Sequence, residues 1–263
     1  MSRAEIFADM KRHIEYDEKR IDKRQLEELA EEARKRLKRP NILHFLKSVR
    51  DRVPLIAEFK PASPEKIFRF HYDMDYAISQ MIEGGASAIS ILTEPVYYRG
   101  SLYYLYEASK KFEVPILRKD LILREFQIYE AAAAGASSYL LIVDQFENEK
   151  MLEDLIHLGR SFEMEPLVEI NSIEDARRVG RTSAKFIGIN NGEGAQRDLN
   201  RTKVLAKEVS ADFLVSESGI KDDEDVKFVI QYADGVLVGT AISEAKDIRA
   251  KVEELCLKGL VKN

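Results

Sequence analysis

The chain has one cysteine, Cys256, among 263 residues, and no tryptophan. A lone cysteine excludes an internal disulfide and a cysteine-ligated metal cluster, and in a helical stretch near the C-terminus it reads as a small apolar core residue. The four histidines, His13, His44, His71 and His157, stand apart at no metal-ligand spacing, so surface or core roles are expected and no metal centre or other cofactor is read from them. Long apolar runs are lacking too. Nothing approaches the roughly 18 to 20 apolar residues that a membrane span needs, and the opening segment MSRAEIFADMKRHIEYDEK is too charged for a secretory signal. Neither sign of charge dominates: 41 Lys and Arg against 46 Asp and Glu give 41 minus 46, or −5, on a chain that is 33% charged. Phosphate neutralisation needs a basic face or stripe, so a nucleic-acid binder that works by bulk charge is excluded. What is present is a 45% hydrophobic share, enough for a large core, in a protein expected to be soluble and cytoplasmic.

The first forty residues are mostly charged, with Leu26, Leu29, Ala33 and Leu37 at helical spacing, which predicts an amphipathic helix. Its basic end, RKRLKRP, follows Glu27, Glu28, Glu31 and Glu32, and that mixture reads as a solvated helix face rather than a nucleic-acid patch. After Pro54 short apolar runs alternate with charged segments of helical period. The runs are PLIAEFK (54–60), SAISILTE (87–94), VPILRKD (114–120), SSYLLIVD (137–144), EPLVEIN (165–171), KFIGINN (185–191), DFLVSESG (212–219) and DGVLVGT (234–240). Near-continuous apolar strands are what a parallel sheet buried on both faces requires. Segments such as DYAISQMIEGG, LREFQIYEAAAAG and KDDEDVKFVIQYA lie between them and suit helices. Eight such repeats predict an α/β fold, a (β/α)8 TIM barrel with an N-terminal helical extension. No linker divides the chain, so one domain over residues 1–263 is expected, with 1–50 as the extension and 51–263 as the barrel. No GxGxxG follows a strand, and AGASS at 134–138 reads as a helix end.

The polar residues collect at the C-terminal ends of the runs, where a barrel of this kind builds its active site. Glu58 and Lys60 are two apart and share a strand face. Lys119, Glu169, Asn190 and Glu217 end the third, fifth, sixth and seventh runs. Gathering two lysines and three carboxylates at one mouth costs several kcal/mol per buried ion before pairing, which points to use rather than to a structural salt-bridge ring. A second group, Gly219 in ESG and Gly239 and Thr240 in VGTAI, follows the seventh and eighth runs, each ahead of a helical segment. Glycine lets a ligand approach the backbone and helix starts attract anions, so these residues read as a phosphate cradle, with Ser63 as a fourth donor.

The strings IAEFKPASP, ISILTEPVYYRGS, PILRKDLI, PLVEI, IGINN, SESGI and VLVGT, in this order and spacing, resemble the indole-3-glycerol-phosphate synthase family of tryptophan biosynthesis over nearly the whole chain from about residue 50. The resemblance implies a lyase that closes the ring of 1-(2-carboxyphenylamino)-1-deoxyribulose 5-phosphate with loss of CO2 and water, without cofactor or metal. It implies Lys119 as the general acid on the keto oxygen, Glu169 as partner in the dehydration, and Lys60 near the substrate carboxylate and phosphate. Glu58, Asn190, Glu217 and Ser218 would hold the diol and orient the lysines; Ser63, Gly219, Gly239 and Thr240 would grip phosphate. Tyr98, Leu140 and Ile142, with Leu121 where the family commonly has phenylalanine, would enclose the aromatic ring. Burial is expected to lower the pKa of Lys119 and raise that of Glu169.

The chain also departs from the family pattern. Gly192, Glu193 and Gly194 follow IGINN where Arg-Asp-Leu is usual, and the loop to DLN looks about two residues short. Arg197 is then either a replacement for the family arginine or a surface residue. Two other readings compete: a phosphosugar isomerase, which would share the phosphate loops but not need both lysines with LTEP, and a barrel that binds ligand or partner without turnover, favoured by the glycine-rich loop after Asn191. A small phosphorylated molecule is the expected ligand, with no nucleic acid and no membrane; association with another enzyme of the pathway stays open.

Overall fold

The computed structural model describes residues 2–37, 39–68, 73–192 and 196–259, so His71, Glu193 and Gly194 lie outside the described residues. Eight strands form the barrel: β1 (Leu55–Phe59), β2 (Ala88–Leu92), β3 (Ile116–Lys119), β4 (Ser138–Ile142), β5 (Leu167–Ile170), β6 (Phe186–Asn190), β7 (Phe213–Glu217) and β8 (Gly235–Val238). All neighbours are parallel, each strand pairs with the next, and β8 closes on β1. Each strand falls inside one of the eight apolar runs, and the expected (β/α)8 barrel is the observed fold. The strands are buried throughout except for Lys119 and Asn190, the last residues of β3 and β6, which is the pattern of a sheet covered on both sides and open at one end.

Register sorts the side chains. Glu58 lies beside Ser90, Leu92 beside Lys119, Ile142 beside Glu169, Glu169 beside Gly188, and Asn190 beside Glu217. Residues opposite one another in paired strands share a face, so these form the interior layer, while Arg118 on the alternate face reaches the helix Glu125–Ala133. Helices restart after the strands on short polar caps. Asp73, Asn148, Ser172 and Asp222 accept from the backbone N–H of Tyr76, Met151, Asp175 and Asp225, each cap being worth about 1 kcal/mol.

Three helices precede the barrel: α1 (Arg3–Glu18), α2 (Lys23–Arg36) and α3 (Ile42–Ser48). The stripe Ile6, Met10 and Ile14 of α1 is buried. Its polar side is tied to three strand ends. Arg3 lies 3.3 Å from Glu169 of β5, Asp9 accepts from the Tyr97 hydroxyl after β2 at 2.6 Å, and Glu18 lies 3.3 Å from Arg124 after β3. α1 therefore crosses the mouth of the barrel. α2 packs on the helix Glu125–Ala133. Its buried residues are Ala30 and Ala33, whereas Leu29 is 49% exposed. The stripe thus runs 26, 30, 33, 37, and one residue of the expected stripe faces solvent because it sits at the stripe's edge, about 100° around the helix from Ala30. The basic tail serves the protein itself: Arg34 donates to the Ser161 carbonyl at 3.1 Å and Arg39 to the Ala132 carbonyl, both at C-terminal turns of neighbouring helices. Cys256 is buried, and burial pushes its thiol up to about 11. Among the described residues no helix is long and apolar enough to cross a membrane.

Candidate active site

Lys119 ends β3, and its ammonium lies 4.0 Å from Glu58 of β1 and 3.7 Å from Glu217 of β7. These contacts bring strands from different sides of the barrel together. Glu58 accepts from the Ser90 hydroxyl at 3.3 Å, and Glu169 accepts from the Asn190 amide at 3.0 Å. Glu217 is fully buried, with no hydrogen-bond partner at either oxygen. Three carboxylates thus surround one ammonium in a space shielded from water. Burial works to lower the pKa of Lys119, but the attraction of Glu58, Glu217 and Glu169 outweighs it and holds the lysine above its usual value. That reverses the expected lowering. The Glu217 carboxyl is lifted: burial first, then repulsion from Glu169, push it up to about 8 against the pull of Lys119. Lys119 is thereby held as a cation with a proton to give, and Glu217 is shifted toward its neutral form.

Two glycines create the space for this cluster. A Cβ on Gly188 would stand 2.0 Å from Glu217 Oε1, and one on Gly239 would stand 2.3 Å from Glu58 Oε1. Gly239, expected only in the phosphate cradle, therefore also seats a carboxylate. A glycine inside a strand signals such close approach, so Gly188 in KFIGINN was readable.

Other supports were not singled out from the sequence. Glu94 accepts from the backbone N–H groups of Val96, Tyr97 and Tyr98 at 2.9, 2.7 and 3.0 Å, shaping the loop that carries Tyr98. The Tyr98 carbonyl in turn accepts from Ala62 after β1 at 3.1 Å. Asp120 accepts from the Thr93 hydroxyl at 2.5 Å and from Arg118 at 3.1 Å, which fixes the backbone beside Lys119. Asn191 is fully buried; its amide donates to Ser216 at 2.9 Å and its oxygen accepts from the Thr202 hydroxyl at 2.7 Å, locking β6 to β7 next to Glu217. The motifs LTEP, KD and NN held the signals, a polar residue immediately past an apolar run.

Lys60 is buried and turns toward β8, donating to the Thr240 hydroxyl at 3.3 Å. Thr240 opens a short helix, Thr240–Ser243, whose first N–H groups have no acceptor within the helix. After β7, Ser218 and Gly219 take φ of 66° and 75°, a left-handed pair that turns the backbone out of the strand. Arg197 donates to the Gly219 carbonyl and pairs with Asp225 at 2.5 Å, so it braces this turn. Ser63 belongs to a hairpin, Ala62–Ser63 with Lys66–Ile67, where its hydroxyl lies 3.5 Å from the Lys66 carbonyl. The hairpin is tied across to the end of the short helix by Lys66 and Glu244 at 2.6 Å. Leu121, Leu140 and Ile142 are buried, the last two on the interior face of β4, and Tyr98 is half-buried in its loop. Of the histidines, His13 lies 3.9 Å from Asp9 and His157 lies 2.8 Å from Glu153, both half or more exposed; among the described residues no cluster is arranged to hold a metal.

A (β/α)8 barrel with a buried lysine and carboxylate cluster at its mouth, flanked by glycine turns after β7 and β8, defines a barrel of the acid-base class. A family profile described as indole-3-glycerol phosphate synthase matches residues 3–255. Relatives carrying that name include those of Methanocaldococcus jannaschii, 33% identical over 97% of this chain and 98% of the relative, and Aquifex aeolicus, 36% identical over 91% and 95%. That of Methanothermobacter marburgensis is 39% identical over 78% of this chain and 74% of its own length. The chain belongs to the indole-3-glycerol phosphate synthase family, which decides against the isomerase reading. Among solved structures, 3-hexulose-6-phosphate synthase from Salmonella typhimurium aligns with a TM-score of 0.65 over 77% of this chain and 96% of its own, at 14% identity, and shares the fold.

Proposed function

We propose that this chain, a carboxy-lyase of tryptophan biosynthesis, converts 1-(2-carboxyphenylamino)-1-deoxyribulose 5-phosphate to indole-3-glycerol phosphate through proton transfers made by Lys119 and Glu169. The observation that carries the assignment is a buried lysine set 4.0 Å from Glu58 and 3.7 Å from Glu217 inside the barrel mouth. Attack of the carboxyl-bearing ring carbon on the keto carbon forms the new C–C bond and drives an electron pair onto oxygen. Lys119 gives that oxygen its proton. Breaking the bond to the carboxylate releases CO2 and returns its electron pair to the ring. The hydroxyl then leaves as water on taking a second proton from Lys119, recharged from solvent, and Glu169 accepts the proton lost as the ring double bond forms. These steps require only proton transfer, so no redox or metal group is called for.

The surrounding residues divide the substrate between them. Glu58 holds Lys119 in place, and neutral Glu217 donates to a diol hydroxyl that Asn190 and Ser218 also meet. Lys60 beside Thr240, with Gly219, Gly239 and Ser63, takes the phosphate. Tyr98, Leu121, Leu140 and Ile142 enclose the aromatic ring. A substrate of several negative charges does not cross a bilayer unaided, which supports a cytoplasmic place of work. Supplying the substrate and following indole fluorescence tests the reading. Wild-type protein should form product, and Lys119→Ala should lose about 10³-fold in kcat. No product from the wild type would overturn the function; wild-type turnover by the variant would overturn the role of Lys119.

A further inference from the structure

Glu169 differs from its two neighbours in where its cation comes from. Lys119 pairs with Glu58 and Glu217, both from the barrel, whereas the ion pair of Glu169 is made by Arg3, the first residue of α1. Arg3 Nη2 lies 3.3 Å from Glu169 Oε1, the same oxygen that accepts from Asn190, and Nη1 lies 3.4 Å from the Asn171 side-chain oxygen. The guanidinium also sits over the Phe7 ring, 5.0 Å from its centroid. The Glu169 side chain is 2% exposed while that of Arg3 is 48% exposed, so the pair joins a sealed carboxylate to a cation at the rim.

We propose that Arg3 is a positioning residue for the reaction: from α1 it holds the Glu169 carboxylate aimed, which makes the N-terminal helix part of the active site. The inference rests on the proposed role of Glu169. The physical reason is general. A carboxylate sealed from water takes up a proton unless a cation or donors oppose it, and a protonated glutamate is no base. Lys60 turns to Thr240 and Lys119 lies closest to Glu58 and Glu217, so the direct ion pair of Glu169 is made from outside the strands. A guanidinium suits the task because it bonds Glu169 and Asn171 at once through separate nitrogens. The attachments of Asp9 to Tyr97 and of Glu18 to Arg124 keep α1 across the mouth at its middle and its far end.

Steady-state kinetics on full-length variants test this. Arg3→Gln should lower kcat by about 10-fold or more, the weight of one charge-assisted hydrogen bond, while KM changes by less than about twofold. Arg3→Lys should recover most of the loss, and added methylguanidinium should restore part of the activity of Arg3→Ala through the exposed rim. In a Glu169→Gln background, Arg3→Gln should cause no further loss. Wild-type kcat in Arg3→Gln, with Glu169→Gln inactive, overturns the inference and leaves the role of Glu169 standing. A loss that is the same in Arg3→Lys, or that adds in full to Glu169→Gln, also overturns it, because the helix would then act only through the fold. Wild-type turnover in Glu169→Gln removes the role of Glu169 and this inference together.

Discussion

At the N-terminal end of β5, Glu165 is held by Arg160 through two bonds of 3.0 and 2.6 Å, and the same guanidinium donates to the Ser183 hydroxyl and carbonyl at 2.7 and 2.8 Å. At the opposite end of the barrel Glu217 is more deeply buried, yet neither oxygen is hydrogen-bonded and its nearest cation stands 3.7 Å away. The two ends have the same strands and the same covering helices, so fold stability alone does not require this difference. Around Arg160 the charge serves structure and its donors find acceptors, as Asp234 also shows in accepting from the Leu214 N–H at 2.9 Å. At Glu217 both oxygens are left without a partner among carboxylates, which fits the proposed contact with substrate. Cavity size does not make the distinction: a cleft of about 410 Å³ lies at the N-terminal end among Leu46, Val53, Phe213 and Ile230, with Lys47 already paired to Asp212.

The comparison predicts which glycines tolerate a methyl group. Gly239→Ala would put Cβ 2.3 Å from the Glu58 carboxylate, which must move and release its side of Lys119. A displacement of about 1 Å in such a cluster costs about 10²-fold in rate, so kcat measured by indole fluorescence should fall by that order. Gly180→Ala, where the nearest atom is a helical carbonyl at 3.5 Å and the backbone is already right-handed, should leave turnover unchanged. Equal activity of the two variants would break the link between Gly239 and the cluster.

The barrel was legible because its signal repeats: eight apolar runs, each two or three residues longer than its strand, with polar residues on the same end every time. The mouth residues were legible for the same reason, since a period of two fixes which side chains face inward once a strand is recognised. Pairing across the barrel was not. Strand order says that Glu58, Lys119 and Glu217 share an interior, but whether burial or attraction dominates at Lys119 depends on three distances that no spacing encodes, and the expected direction was wrong. Arg197 shows the same limit, since only the fold shows its guanidinium braced between Gly219 and Asp225. Arg3 was hidden for a different reason. It lies 166 residues from its partner, on a helix whose charges resemble any solvated face.

At the structural end of the comparison the expected effect is on stability. Arg160→Ala removes four bonds from a half-buried guanidinium and should cost about 2 kcal/mol in urea unfolding with kcat unchanged. A fall in kcat without loss of stability would place function at both ends of the barrel.

The last expected effect concerns how stability varies with pH. Glu217 has a pKa of about 8 in the folded protein against an ordinary carboxyl value of 4.5. A raised folded pKa means that between these values the folded state binds a proton that the unfolded state has lost. The contribution of Glu217 to stability is therefore complete below about 4.5 and is lost as pH rises through about 8. Glu217→Gln cannot titrate and should lack this slope, so its urea midpoint should gain on the wild type between pH 5 and pH 8.5. Arg160→Ala, which leaves the mouth untouched, should run parallel to the wild type over the same range. If Glu217→Gln runs parallel as well, the buried carboxyl carries its charge throughout, and its part as a neutral hydrogen-bond donor to the diol is lost.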